Sequence, residues 1–186
     1  MKYRDSTVYG EISSYTRFVP YSKDYDLESF ECGIDDYNNF LIHDAEYYIE
    51  NGISSMHLLI DKRNNNVIGY LAVLADAFLL HKQEKKDLEL DVPFSSVPAM
   101  KIGKLAVSKE YKDYPYGSFL LEISLGIAQQ MKENGIGCRF LTVDADIEHD
   151  SDTPVFYEKN GFIVNEHKMQ KQGKGSVSMR YDLHDF

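Results

Sequence analysis

Between Ala99 and Ala145 the chain runs strand, turn, helix, strand, and no other stretch limits its folding choices so tightly. Ala99 to Val107 is a β-rich run. Gly117 to Glu133 repeats Leu120, Leu121, Ser124, Ile127, Ala128 and Met131 along one helical face and stops at Asn134-Gly135; Arg139 to Ala145 is extended again. A helix lying between two strands carries the chain back across the sheet, so the flanking strands pair in parallel. A tight turn from strand into helix also aims backbone N–H groups and the positive end of the helix dipole at one point, where a pyrophosphate can sit.

The other patterns fit around that unit. Apolar positions Ile34, Tyr37, Phe40, Leu41, Tyr48 and Ile49 predict a helix from about Asp35 to Glu50, ended by Gly52. Met56 to Ile60 and Val67 to Leu74 form an antiparallel hairpin around the polar turn 61–66. Tyr15 to Val19 is a short strand after an uncertain start, and the charged stretch His81 to Asp91 is a solvated loop or short surface helix. Thr153 to Asn160 is a short helix ended by Gly161; Phe162 to Val164 and Val177 to Leu183 are closing strands. The expectation is a single α/β domain over 1–186: a mixed sheet of about six to seven strands with helices on both faces.

Composition narrows the function. The 43% apolar content belongs to a globular chain, no apolar run approaches the ~20 residues of a membrane span, and the start carries no secretory signal. A cytoplasmic location is expected. Cys32 and Cys138 lack metal or redox spacing, so neither a disulfide nor a metal site is expected. The net charge of -10 argues against a nucleic-acid partner and favours cationic or neutral ones. Lys82, Lys85 and Lys86 make the only modest basic cluster of the His81 to Asp91 insert.

Lys104-Leu105-Ala106-Val107, followed by Lys112-Asp113-Tyr114-Pro115-Tyr116-Gly117-Ser118, resembles the acetyl-CoA signature of the GNAT acetyltransferase superfamily. Lys112 takes the place of the family's Gln/Arg, Pro115 that of the first glycine and Gly117 that of the second. The resemblance implies that the turn 112–118 holds the CoA pyrophosphate. The strand Leu105, Ala106, Val107 would polarise the thioester carbonyl and pair with pantetheine in a splay between the two central parallel strands. Pro115 departs from the pattern because it has no N–H; Lys112 or the hydroxyl of Tyr114 or Tyr116 is a candidate replacement.

Phe156-Tyr157-Glu158-Lys159-Asn160-Gly161-Phe162 matches the family's F-Y-x-K-x-G-F segment, which implies that Tyr157 protonates the departing thiolate. The strand glutamate that many relatives use as base is absent: Met100 to Val107 carries Lys101 and Lys104. Alternation puts Thr142, Asp144 and Asp146 on one face of the next strand, making Asp144 and Asp146 the candidate bases, with a water chain as the alternative. Asp144, Asp146, Glu148, Asp150 and Asp152 are not a calcium loop, since His149 and Val155 stand where glycine and glutamate are required. They form either a solvated loop or an electrostatic funnel for a cationic amine.

Phe30-Glu31-Cys32-Gly33, with Tyr37, Phe40, Leu41 and Ala45, is similar to the start of a GNAT subgroup that includes toxins acetylating aminoacyl-tRNA. Together with Val67-Ile68-Gly69-Tyr70 the resemblance spans about residues 27–165. It implies transfer of an acetyl group from acetyl-CoA, the cosubstrate, to a primary amine of a small molecule or protein by direct attack in a ternary complex. A catalytically degenerate CoA sensor and an aminoacyl-tRNA toxin stay open as alternatives, as does a homodimer.

Overall fold

The computed structural model describes residues 6–165 and 175–184. In chain order the elements are helix α1 (Ser6–Tyr15), strand β1 (Thr16–Pro20), helices α2 (Asp35–Asn39) and α3 (Ala45–Glu50), strands β2 (Ser55–Asp61) and β3 (Val67–Leu79), helix α4 (Lys82–Asp87), strand β4 (Ser96–Val107), helix α5 (Tyr116–Glu133), strand β5 (Phe140–Asp146), helix α6 (Thr153–Lys159), and strands β6 (Ile163–Val164) and β7 (Ser176–Asp182). The strand order is β1-β2-β3-β4-β5-β7-β6. Helix α1 falls in the part of the sequence that gave no clear pattern. Strands β3 and β4 are longer than the apolar runs that announced them.

The chain divides into two compact units, one of residues 1–74 and 102–124, the other of 75–101 and 125–186. In the first, β1 pairs antiparallel with β2 (Thr16↔Asp61) and β2 with β3 (Ser55↔Val73), with a register shift at Leu59/Ile60. Its core gathers Leu41, Leu58, Ile60, Tyr70 and Ala106 around Phe30 and Phe40.

The helix expected over 35–50 is interrupted. Phe40–Asp44 forms a π turn, in which the Ala45 N–H donates to Phe40 O, five residues back. The wider turn brings Phe40 and Ala45, five residues apart, nearer to one face, and Phe40, Leu41 and Ala45 are all buried.

In the second unit β5 pairs antiparallel with β7 (Phe140↔Asp182), and β7 with β6 (Ile163↔Arg180). The Arg139 N–H donates to Pro98 O and the Thr142 hydroxyl reaches Met100 O, so the first half of β4 runs parallel to β5, as the crossover helix demands. Phe78, Leu80, Val97, Ala99 and Phe140 form the core.

The charged stretch 81–91 is more than a solvated surface. Glu84 of α4 is buried, its Oε1 accepting from Arg180 Nη1 at 3.0 Å and its Oε2 from the His81 N–H at 2.8 Å. Among the described residues no helix is long and apolar enough to cross a membrane. Cys32 and Cys138 are free, buried thiols.

Candidate functional site

In the first unit, strand β4 delivers the backbone of Leu105, Ala106 and Val107 to the start of a turn. Ala106 is buried, and β3 approaches so closely that a Cβ on Gly69 would stand 2.5 Å from Ala106 O. The Ser108 N–H donates to Ile68 O at 2.8 Å, and a 3-10 turn over Lys109–Tyr111 follows. The Phe30 to Gly33 segment braces this turn. The Lys109 N–H donates to Glu31 O at 2.8 Å, and Gly33 sits at φ +98°, where any side chain would be strained and would push the Lys109 side chain aside. The Cys32 N–H donates to Asn38 Oδ1 of α2 at 3.0 Å. Hydrogen bonds from Asn38 and the Gly33 amide hold the Glu31 carboxyl below its usual range.

Lys112, Asp113, Tyr114 and Pro115 are exposed, and the helix begins at Tyr116, one residue before the expected Gly117. Of the first N–H groups of α5, that of Tyr116 donates to Tyr114 O (2.8 Å) and that of Phe119 to Pro115 O (2.9 Å). The amides of Gly117 and Ser118 have no acceptor among the described residues. Two adjacent unpaired donors at the positive end of an 18-residue helix make a place for an anion. Pro115 precedes the first helical residue and serves with its carbonyl, so its missing N–H spares this pair. Tyr116 is buried, with its hydroxyl 3.1 Å from that of Tyr15, and so faces the protein. Of the candidate side-chain donors, Lys112 and Tyr114 are exposed, beside the equally exposed Asp113 carboxylate.

Further back on β4, Lys104 Nζ lies 4.2 Å from the centroid of the Tyr37 ring and 5.4 Å from that of Phe40. Among the described residues, ring faces and not a carboxylate meet this cation.

The second unit holds the proposed acid and the candidate bases. Tyr157, on α6, is 6% exposed, and its ring is clamped edge-on by Phe156 (5.1 Å) and Phe162 (5.3 Å). Gly161, at φ +91°, ends this helix where a Cβ would meet the Tyr181 ring at 2.9 Å. The aromatic and glycine spacing of the F-Y-x-K-x-G-F segment is thus what fixes the Tyr157 ring.

Asp144 is tied by a 2.5 Å ion pair to Lys101. Asp146 is drawn into the following turn: its Oδ1 accepts from the amides of Glu148 and His149, and its Oδ2 lies 2.7 Å from His149 Nδ1. Burial pushes the Asp146 carboxyl up, but the bonds from the His149 ring and the two amides outweigh it and hold it below the usual carboxylate value. Asp150 braces the start of α6, its carbonyl accepting from Thr153. Among the described residues no three His, Cys, Asp or Glu side chains gather as a metal site. Sequence reasoning missed Asp76 of β3, whose Oδ2 accepts from the Thr142 hydroxyl at 2.7 Å. The two residues lie 66 apart in sequence, and no local pattern signals their meeting.

No protein-family model matches the chain, and no curated protein is similar to it in sequence. Solved structures do share its fold. A tyrosine-to-phenylalanine mutant of KacT is 20% identical with a TM-score of 0.73, covering 92% of this chain and 96% of that one. AtaTR bound with acetyl-CoA gives the same values. AtaT complexed with acetyl-methionyl-tRNAfMet is 21% identical at 0.72, covering 91% and 96%. The last of these weakens the expectation that set nucleic acid aside, since a protein of this fold holds tRNA. At such identities the likeness is one of architecture, and the architecture of this chain is the GNAT fold that its motifs resemble.

Proposed function

We propose that this protein is an acetyl-CoA-dependent N-acetyltransferase of one domain, acting in the cytoplasm on a primary amine. The observation that carries the reading is the unpaired amide pair of Gly117 and Ser118, set directly after the Leu105 to Val107 strand in a fold shared with an acetyl-CoA-bound protein. Those amides, with the Lys112 ammonium, receive the cofactor diphosphate, and the edge of Leu105 to Val107 receives the pantetheine amides and the thioester oxygen. The amine nitrogen attacks the thioester carbonyl and the C–N bond forms as the C–S bond breaks. Tyr157 gives its phenolic proton to the leaving thiolate.

The amine proton has two protein destinations to weigh. Asp144 is engaged by Lys101, and Asp146, held below its usual pKa by its partners, is a weak base. Transfer to water is therefore the favoured route, with the two carboxylates attracting the cationic acceptor.

A finer reading makes the amine that of an aminoacyl-tRNA. It is favoured by the AtaT complex with acetyl-methionyl-tRNAfMet and by the Phe30 to Gly33 segment. Calorimetric titration with acetyl-CoA, then thiol release on a panel of amines and aminoacyl-tRNAs, tests both. Saturable binding and turnover are expected. Absence of binding at millimolar acetyl-CoA refutes the enzyme reading, and binding without turnover on any acceptor leaves a sensor of CoA.

A further inference from the structure

Five side chains from distant parts of the first unit close into a ring around the turn 111–116. Asp61, at the end of β2, is 1% exposed. Its two oxygens accept from Arg63, Oδ1 from Nε at 2.9 Å and Oδ2 from Nη2 at 2.6 Å. The Arg63 guanidinium lies over the Tyr15 ring, 4.8 Å from its centroid. The Tyr15 hydroxyl is 3.1 Å from that of Tyr116, the first residue of α5. The Tyr116 ring meets the Tyr111 ring edge-on at 5.8 Å, and the Tyr111 hydroxyl returns to Asp61 Oδ2 at 3.5 Å. Asn64 adds a bond to the same hydroxyl at 3.3 Å.

The ring grips the chain on both sides of Pro115, at Tyr111 before it and at Tyr116 after it. What it leaves unpaired is the amide pair that follows, Gly117 and Ser118. A diphosphate held by two backbone donors binds well only where those donors are fixed beforehand, because ordering them on binding costs affinity. A buried, ionised carboxylate is a costly way to shape a hairpin turn, and the hydrogen bonds from Arg63, with a smaller one from Tyr111, outweigh burial and hold the Asp61 carboxyl below its usual range.

We infer that Asp61, Arg63, Tyr15, Tyr111 and Tyr116 are positioning residues that set the diphosphate-holding turn for its ligand, without touching that ligand through their side chains. The inference rests on the proposed acetyl-CoA reading and names how its cofactor affinity is maintained. It also explains the two readings of Tyr116: the sequence places it in the cofactor turn, and the structure directs its side chain away.

The test compares two acyl donors. Acetyl-CoA carries the diphosphate; S-acetyl-pantetheine has the same thioester and arm without it. Tyr15→Phe removes one hydroxyl, and Arg63→Gln removes the cation over Tyr15. Each is expected to raise the Kd for acetyl-CoA about three- to tenfold, the range of one lost hydrogen bond, while kcat/KM with S-acetyl-pantetheine stays near wild type. The melting temperature without ligand stays near wild type in Tyr15→Phe and falls in Arg63→Gln, which leaves the buried Asp61 carboxylate without its cation. Tyr15→Phe and Tyr116→Phe together are expected to cost no more than either alone, since each breaks the same bond. Unchanged acetyl-CoA affinity in both Tyr15→Phe and Arg63→Gln overturns the inference, and so does an equal loss with the two donors, which marks a general loss of structure. If wild type itself binds no acetyl-CoA, the enzyme reading fails first, a result distinct from both.

Discussion

Gly69→Ala puts the fit between β3 and β4 to a quantitative test. An added Cβ would stand 2.5 Å from Ala106 O, 3.3 Å from Leu120 Cδ1 and 3.4 Å from Val107 Cα. The leucine can rotate, but the other two atoms are backbone on the strand that presents Ala106. Ordinary contact needs about 3.4 Å, so the strands must part by nearly an ångström, in the range where overpacking costs about 1–3 kcal/mol. At ~2 kcal/mol the melting temperature of a chain this size falls by roughly 4–8 °C. Gly126→Ala is the matched control. Gly126 is exposed in α5 with nothing within 4 Å of an added Cβ, so the same change there stabilises by about 0.5–1 kcal/mol. Urea unfolding of both variants, followed by acetyl-CoA titration, measures the difference. Opposite signs are expected, with weakened acetyl-CoA binding confined to Gly69→Ala. Stabilities within 0.5 kcal/mol of each other would refute the argument from close strand approach.

Tyr157→Phe keeps the ring between Phe156 and Phe162 and removes only the hydroxyl, so kcat should fall by about 10²–10⁴ with acetyl-CoA Kd unchanged; an intact kcat in stopped-flow thiol release would dismiss the acid role. Glu84→Ala strips the buried Arg180 of its carboxylate and should cost about 3–5 kcal/mol in urea unfolding. A second change, Arg180→Leu, should recover much of that loss. Burial holds the His57 imidazole below its ordinary pKa, with Nδ1 enclosed and unbonded and the ring stacked on Phe18 at 4.7 Å. The unfolded chain therefore protonates first: stability from neutral His57 is complete above about pH 6.5 and declines as pH falls towards the depressed value. Unfolding measured from pH 5 to 7.5 should show this slope in wild type and a shallower one in His57→Gln.

Where contacts are local, the sequence was readable. The order of strand, turn and helix from β4 into α5, the helix stop at Gly161 and the positive φ of Gly33 each depend on the residue types within a few positions, and each announced itself as a spacing. Of the face its period gave to α5, Leu120, Leu121, Ser124 and Ala128 are buried while Ile127 and Met131 are half-buried, and Leu125 also faces inward. The π turn at Phe40–Asp44 stayed hidden because an apolar period near 3.6 does not distinguish one wide turn from several ordinary ones. The partners that reshape the site are long-range. Tyr15 and Tyr116 are 101 residues apart, Glu84 and Arg180 are 96 apart, and Lys101 and Asp144 are 43 apart. The candidate base Asp144 looked free in the sequence for that reason alone.

Net charge is a weak guide for a different reason. A sum of -10 over the chain describes its far field, but at physiological salt a charge is screened beyond about 8 Å. Many of the acidic groups are also engaged at short range: Asp61 with Arg63, Asp144 with Lys101, Asp182 with Arg139, Asp146 with the turn that contains His149. The same holds for the basic side. Of the Lys82, Lys85 and Lys86 cluster, Lys85 donates to Val92 O and Phe94 O and serves to hold its own loop. What a polyanion meets is the set of charges within one screening length of its contact, so a chain ten charges negative can still offer it a local basic footing. Total charge is therefore the wrong quantity from which to exclude a nucleic-acid acceptor.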